Sequence, residues 1–514
     1  MFFRLKSYAL EGLQVHPVDV EVDTGRGLPS TVVVGLPGKA IMESRDRVKT
    51  ALVNSSMPYP RSKVTVNLTP ADLRKEGPLY DLPIAMAIMV CTEILKNQES
   101  LKNLRVVGEL SLDGICRPVP GILSMAEACR REGATLICPA DNLPEASLVE
   151  GLNVYPVSSL EELEKLLSGQ IQSGGLKAFS EPTKSSPTTR PSTSKDFLEV
   201  VGQTAAKRAL TIAAAGGHNL LMLGPPGSGK SMLAERFPGL LPPMANDEAL
   251  EVTRIHSVAG ALGPDSPLVQ ERPFRAPHHT ISEPALIGGG SDARPGEISL
   301  SHRGTLFLDE LPEFPRKTLE VLRQPLESGS IAIHRARRRC QYPANFNLLA
   351  AMNPCPCGYH GSSVRACRCS PIQVSRYRNK LSGPLLDRVD IHVEVSDPPP
   401  ASLRRQSRNG PSTAELAKKV NHATTRQEHR YKDEPWHRNG DLRGGEVERF
   451  CPLDSEGETF LIRGLEELGL SVRAYHKVLL VARTIADIED EDDIQLDHLS
   501  EALNYRLLDQ EWSA

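Results

Sequence analysis

Two hydrophobic periods divide this chain. Near its start, "STVVVGL" (30–36) and "KVTVNL" (63–68) are β-branched runs that predict strands. "YDLPIAMAIMVCTEIL" (80–95) and "GILSMAEACRREG" (121–133) are helical stretches instead, so this part reads as α/β. Toward the end, "SVRAYHKVLLVARTIADI" (471–488) and "LDHLSEALNYRLL" (496–508) repeat apolar residues at three and four spacing and predict a mostly helical domain. In the middle, apolar runs at 220–223, 304–308 and 346–352 are short enough for buried strands, and each ends in a polar or glycine-rich turn.

Two stretches break both periods. "SGQIQSGGLKAFSEPTKSSPTTRPSTSK" (168–195) is rich in Ser, Thr, Pro and Gly and poor in large apolar residues. "SDPPPASLRRQSRNGPST" (396–413) carries a proline run that continues neither a helix nor a central strand. Read as linkers, they separate an N-terminal domain (1–167), a central domain (196–395) and a C-terminal helical domain (414–514). At 514 residues, with 39% hydrophobic and 24% charged side chains, the chain has the makeup of a soluble multidomain protein. A formal net charge of -4 excludes a global basic field, so any nucleic-acid contact must come from local patches. Charges interrupt every apolar run of the N-terminus, which predicts no signal peptide, no membrane partner and a cytoplasmic location.

"NLLMLGPPGSGKSMLAERF" (219–237) carries the strongest chemical signal. Gly224, Pro225, Pro226, Gly227, Ser228, Gly229, Lys230 and Ser231 lie between an apolar strand and a helical pattern. Glycines at those spacings let backbone N–H groups wrap phosphates, Lys230 reaches the β- and γ-phosphates of ATP, and Ser231 is a Mg²⁺ ligand. "GTLFLDEL" (304–311) supplies the acidic partner: Asp309 for Mg²⁺ and Glu310 to polarise the attacking water. Asn353, ending "FNLLAAMNP", is placed to touch the γ-phosphate or that water; without the motifs before it, a turn residue would be the favoured reading. Arg388 in "SGPLLDRVDIHVEV" reads either as an arginine finger for a neighbouring subunit or as a local ion pair with Asp387 or Asp390.

Together with "FLEVVGQTAAKRALTIAAAGGHN", "RPFRAPHHTISEPALIGGG", "PGEISLSHRGTLFLDELPEF" and "AAMNPCPCGYHG", these elements resemble the magnesium-chelatase-like AAA+ ATPases, and within them the YifB/ComM family. The resemblance spans nearly the whole chain. It implies an AAA+ P-loop ATPase core with a helical lid, assembled as a homo-hexamer. It further implies a helicase that drives branch migration of single-stranded and branched DNA in homologous recombination and natural transformation, with other recombination proteins as candidate partners. Asn353 would then be the first sensor, Arg388 a finger acting in trans, and Arg473 in "SVRAYHK" the second sensor on the lid; periodicity alone leaves Arg473 an ordinary exposed helix arginine. A competing reading is a protein-remodelling ATPase of the magnesium-chelatase type.

"SGSIAIHRARRRCQYPANF" (328–346) predicts a β-hairpin with a basic tip at Arg335, Arg337, Arg338 and Arg339. Alone it reads as a solvated charge run. The resemblance places it in the ring pore, where such arginines suit phosphate contacts that track a strand without reading bases. Arg275, His278 and His279 lie in the insert that the resemblance places beside it; the adjacent histidines imply no metal, since neighbours on a strand point to opposite faces. Four of the ten cysteines, Cys355, Cys357, Cys367 and Cys369, crowd "CPCGYHGSSVRACRC" (355–369). Two C-x-C pairs predict a closed structural Zn²⁺ site, with a metal-free or redox-active loop as the alternative. The N-terminal domain resembles the Lon-protease-like fold related to ribosomal S5 domain 2. Leu79 and Tyr80 stand where the catalytic serine would follow Gly77-Pro78, and no lysine occurs between Lys102 and Lys165, so no protease activity is expected.

Overall fold

The computed structural model describes residues 1–35, 38–73, 75, 77–95, 101–168, 195–263, 267–290, 293–335, 338–362, 365–396 and 410–506. Most of both predicted linkers, Arg337, and the side chains of Arg335 and Arg338 lie outside this set.

The N-terminal domain is a seven-stranded mixed sheet. Phe2–Glu11 and Gln14–Gly25 form a long antiparallel pair, in register from Phe2↔Asp23 to Glu11↔Gln14. Lys63–Thr69 and then Ser30–Val34 continue the sheet on one side; Leu104–Val106, Thr135–Pro139 and Asn153–Val157 continue it on the other. Helix Asp81–Cys91 is buried along its whole length, which explains a sequence apolar all round rather than on one face. Its Asp81 is compensated inside the fold by Arg47, whose Nε donates at 2.8 Å.

The central domain is an all-parallel sheet in the spatial order Phe274–Arg275, Thr305–Leu308, Asn347–Met352, Leu220–Leu223, Ile391–Glu394. The first strand in sequence sits between the fourth and fifth, so the loop after Leu223 opens beside the carboxyl ends of its neighbours. That is where ligands bind in open parallel α/β sheets. The three longer inner strands are entirely buried, as sheets covered on both faces require. Ser330–Arg335 and Arg338–Pro343 form the expected antiparallel hairpin. Ile331, Ile333, Cys340 and Tyr342 bury one face of it, while His334 and Arg339 are exposed on the other.

The C-terminal helices, among them Thr413–Arg430, Val472–Glu489 and Leu496–Asn504, share one apolar core with the central sheet. Asp196, just past the first linker, meets Thr413, the last residue of the second, whose N donates to Asp196 Oδ1 at 2.8 Å. The linker at 396–413 therefore joins two parts of one packed body.

The N-terminal domain docks on the central one at two places. Helix Ile122–Arg131 lies against helix Asn246–Ala259: Gly121 N donates to Ser257 Oγ at 2.9 Å, Ser257 Oγ donates to Glu145, and Arg254 Nη1 pairs with Glu127 at 3.1 Å. Second, the tight turn at Gly12 and Leu13 sits under the basic hairpin. Gly12 has φ +62°, and a Cβ there would lie 3.3 Å from Cys340 Cβ. Among the described residues, no helix is long and apolar enough to cross a membrane.

Candidate nucleotide site

The loop 224–231 is shaped by its glycines at specific points. A Cβ at Gly224 would strike Val395 O at 2.1 Å, and Gly227 and Gly229 hold φ of +84° and +95°. Helix Lys230–Arg236 follows directly. Lys230 Nζ donates to Gly224 O at 2.7 Å, Pro225 O at 2.8 Å and Asn353 Oδ1 at 3.3 Å, so the ammonium is held inside the loop and beside the predicted sensor. Ser228 Oγ is buried without a hydrogen-bond partner, as a hydroxyl reserved for a ligand would be.

Ser231 Oγ donates to Asp309 Oδ2 at 2.6 Å. A hydroxyl from the first turn of helix Lys230–Arg236 and a carboxylate just past strand Thr305–Leu308 form the hard oxygen pair that Mg²⁺ prefers. Glu310, at φ +52°, turns away from the strand axis while its N–H bonds Asp309 Oδ1 at 2.9 Å. The residues present therefore fit ATP and Mg²⁺, and the loop, Lys230, Ser231, Asp309, Glu310 and Asn353 all converge at one sheet edge.

Arg388 and Arg473 do not join them. Arg388 O accepts from Asn219 Nδ2 at 3.0 Å, and Asn219 precedes the very strand whose other end carries the phosphate loop. Arg388 lies at the opposite sheet edge, about 13 Å of strand away. Its guanidinium pairs with Glu327, and burial, then the cations Arg473 and Arg323, lower its pKa. The local pairs considered for it go elsewhere: Asp387 meets Arg473 at 3.5 Å, and Asp390 meets Lys477 at 2.8 Å. Both arginines line one cleft of about 740 Å³. Arg473 thus sits beside Arg388 and away from its own phosphate loop. Periodicity placed it on a helix but could not say where the helix docks.

The groups expected to touch DNA divide. Arg339 and His334 are exposed on the hairpin. Arg275 is held by Glu297 through a two-point contact of 2.5 and 2.7 Å, which removes it from the free cations. His278 is exposed and stacks on His279 with ring centroids 4.0 Å apart. His279 has a different neighbour from the one its sequence context implied: its Nδ1 lies 3.3 Å from Glu310 Oε2, the carboxylate expected to polarise the attacking water. Sequence reasoning also missed Gln203, whose Nε2 ties Ser228 O (3.1 Å) to Ser396 O (2.6 Å). Gln203 stands at the N-cap of helix Thr204–Gly216, and its partners lie 25 and 193 residues away in sequence, so neither contact carries a local signal.

The four cysteines form one cluster, their sulfurs all within 4.8 Å of one another. Cys355 to Cys357 is 3.4 Å, Cys355 to Cys367 is 3.7 Å and Cys357 to Cys367 is 3.6 Å. A tetrahedron with Zn–S of about 2.3 Å has edges of about 3.8 Å. Backbone N–H groups of Arg368 and Tyr359 draw the Cys357 thiol below its usual pKa.

Comparison with known proteins covers nearly all of this architecture. The family "Magnesium chelatase, subunit ChlI" matches residues 196–403, "Subunit ChlI of Mg-chelatase" matches 20–142, and "Magnesium chelatase, subunit ChlI C-terminal" matches 410–506. The uncharacterized protein YifB of Escherichia coli is 44% identical over 500 residues, covering 97% of this chain and 96% of that protein. The competence protein ComM of Haemophilus influenzae is 45% identical over 504 residues, 98% of this chain and 97% of that one. A magnesium-chelatase 38 kDa subunit of Rhodobacter capsulatus is 27% identical over 193 residues, 34% of this chain and 54% of that subunit. With this likeness running from the N-terminal sheet to the last helix, the chain belongs to the YifB/ComM family of magnesium-chelatase-like AAA+ ATPases.

Proposed function

We propose that this protein is an ATP-driven DNA motor, a homo-hexameric helicase that moves branched junctions during recombination of incoming DNA. The observation that carries the reading is the hairpin Ser330–Pro343. It rises between the strand that ends at Asp309-Glu310 and the strand that ends at Asn353, so both its roots lead to groups that sense the nucleotide. A similar protein named for competence agrees with DNA as the substrate.

When bound, ATP supplies the phosphoanhydride to be cleaved and Mg²⁺ offsets its charge. Lys230 and the loop N–H groups bind and orient the phosphates. Ser231 and Asp309 would hold the ion, and Glu310 takes a proton from the attacking water. Arg388 and Arg473, at the far sheet edge, serve the site of the next subunit, which makes hydrolysis depend on the ring. Zn²⁺ is the third cofactor of this reading, held by Cys355, Cys357, Cys367 and Cys369 as a structural ion.

The test is ATP hydrolysis by wild type and Lys230→Ala with no DNA, single strands and a four-way junction, with junction movement followed in parallel. Stimulation by DNA together with junction movement, both lost in Lys230→Ala, is the expected result. Turnover indifferent to every DNA would transfer the reading to a protein client, as for the chelatase motor.

A further inference from the structure

The cysteine cluster touches the phosphate loop. Asn353 bonds Lys230, and two residues later the chain enters the cluster at the fully buried Cys355. Gly358 N donates to Cys355 O at 2.9 Å, closing a tight turn within the first C-x-C segment. That turn brings Gly358 onto Pro226. A Cβ on Gly358 would lie 2.5 Å from Pro226 Cδ and 2.6 Å from its Cγ, and Gly358 is itself at φ +85°. Pro226 is otherwise exposed at the crest of the loop, and Gly358 is buried. The position requires glycine twice, for its backbone angle and for the approach of the proline ring.

We propose that the four thiolates and their Zn²⁺ form a clip that fixes the phosphate loop through Gly358 and Pro226, so that nucleotide affinity depends on the metal. The inference rests on the zinc reading above and extends it from a folding role to control of the ATP site. The physical case is one of rigidity. Among its described residues the 355–369 segment buries no large apolar side chain, and its tip at Tyr359 to Gly361 is partly or fully exposed. Apolar burial cannot order such a loop; four metal–sulfur bonds can. A loop ordered in that way presents a fixed surface to Pro226. A loose one lets the crest of the phosphate loop move by an ångström or more, enough to misplace the backbone N–H groups that meet the phosphates. The second C-x-C pair leads straight into helix Pro371–Arg378, and Arg378 Nε donates back to Pro354 O at 3.4 Å, so the clip is anchored at both ends.

The experiment uses the full chain. Metal content is measured on purified protein, then on protein stripped under reducing conditions and reloaded with Zn²⁺ alone. At each stage the affinity for a fluorescent ADP is titrated, and circular dichroism and melting report folding. The expected result is stoichiometric zinc, a loss of nucleotide affinity of about tenfold on stripping, and recovery on reloading. Gly358→Ala, which leaves every thiol in place, should keep its zinc and still weaken nucleotide binding. If stripped protein stays folded and binds the nucleotide as before, or Gly358→Ala binds it normally, the clip does not act on the loop, although the zinc site stands. If the reloaded protein holds no zinc, the zinc reading itself fails and the inference with it.

Discussion

The C-terminal helices are pinned by one buried carboxylate, and Asp487→Asn tests how much that pin matters. Asp487 has no exposed side-chain surface. Its Oδ2 accepts from Arg430 Nη1 at 2.9 Å and from Asn439 Nδ2 at 2.9 Å; its Oδ1 accepts from Arg430 Nη2 at 2.5 Å and meets Arg483 Nη2 at 3.2 Å. Arg426 Nε also lies 3.9 Å from Oδ1, so removing the charge leaves three guanidiniums facing an amide. Deleting one partner of a buried pair costs about 3–5 kcal/mol. Arg483 keeps the carbonyls of Asp492 and Glu491 at 2.5 and 2.7 Å, and Arg430 retains 20% side-chain exposure. Both facts place the expected loss at the low end, about 3 kcal/mol. The assay is guanidinium unfolding followed by Trp436, which packs on the same core, in a Trp512→Phe background. The midpoint should fall with the slope unchanged. Because Asp487 and Arg473 share helix Val472–Glu489, ATP turnover should fall while nucleotide affinity holds. A loss below about 1 kcal/mol would refute the reasoning, since it would mean that the arginines around Asp487 behave as solvated surface groups.

Three further outcomes follow from the nucleotide site and the domain contact. His279→Ala frees the Glu310 carboxylate and should raise DNA-independent turnover about two- to fivefold, as loss of a half-exposed contact of up to about 1 kcal/mol implies; His279→Asn should stay near wild type, and a fall in turnover for His279→Ala would count against the pairing. Arg388→Ala should lose about a thousandfold in turnover, and mixing it with Lys230→Ala chains should restore part of the rate, because each chain supplies what the other lacks; a mixture as inactive as its components would place Arg388 in its own subunit's site. Burial raises the Glu145 pKa, so the stability it lends to domain docking is complete below about pH 4.3, its unfolded pKa, and is lost as pH rises through the higher folded value. Hydrogen exchange of helix Ile122–Arg131 should therefore quicken from pH 4.5 to 7 beyond the intrinsic rate, and Glu145→Gln should flatten that trend.

The sequence was most legible where chemistry is local. The phosphate loop, Asp309-Glu310, the basic hairpin and the four cysteines are each written in a few neighbouring residues, whose backbone needs or donor sets are narrow. The long N-terminal hairpin was harder to see, although Phe2–Leu5 and Val18–Val22 alternate in burial, because Ser7, Tyr8 and Ala9 are buried in succession and Gln14 to Pro17 are exposed or only partly covered. Contacts between elements were not legible at all. His279 meets Glu310 only because strands Phe274–Arg275 and Thr305–Leu308 are parallel neighbours. Gly358 meets Pro226 only because Asn347–Met352 lies beside Leu220–Leu223. The position of Arg473 depends on how a whole helix docks, which three- and four-residue spacing does not encode.

The turn at Gly12 has a practical consequence for anyone who cuts this protein into parts. Leu13 packs into the core beneath the hairpin, and Leu250 and Val258 lean on the N-terminal domain from the other contact. A fragment starting at residue 195 would bare Cys340, Tyr342, Leu250 and Val258 together. It would meet water with an adhesive face. Insolubility of such a fragment would reflect a missing floor under the hairpin and would say nothing against the ATPase fold itself.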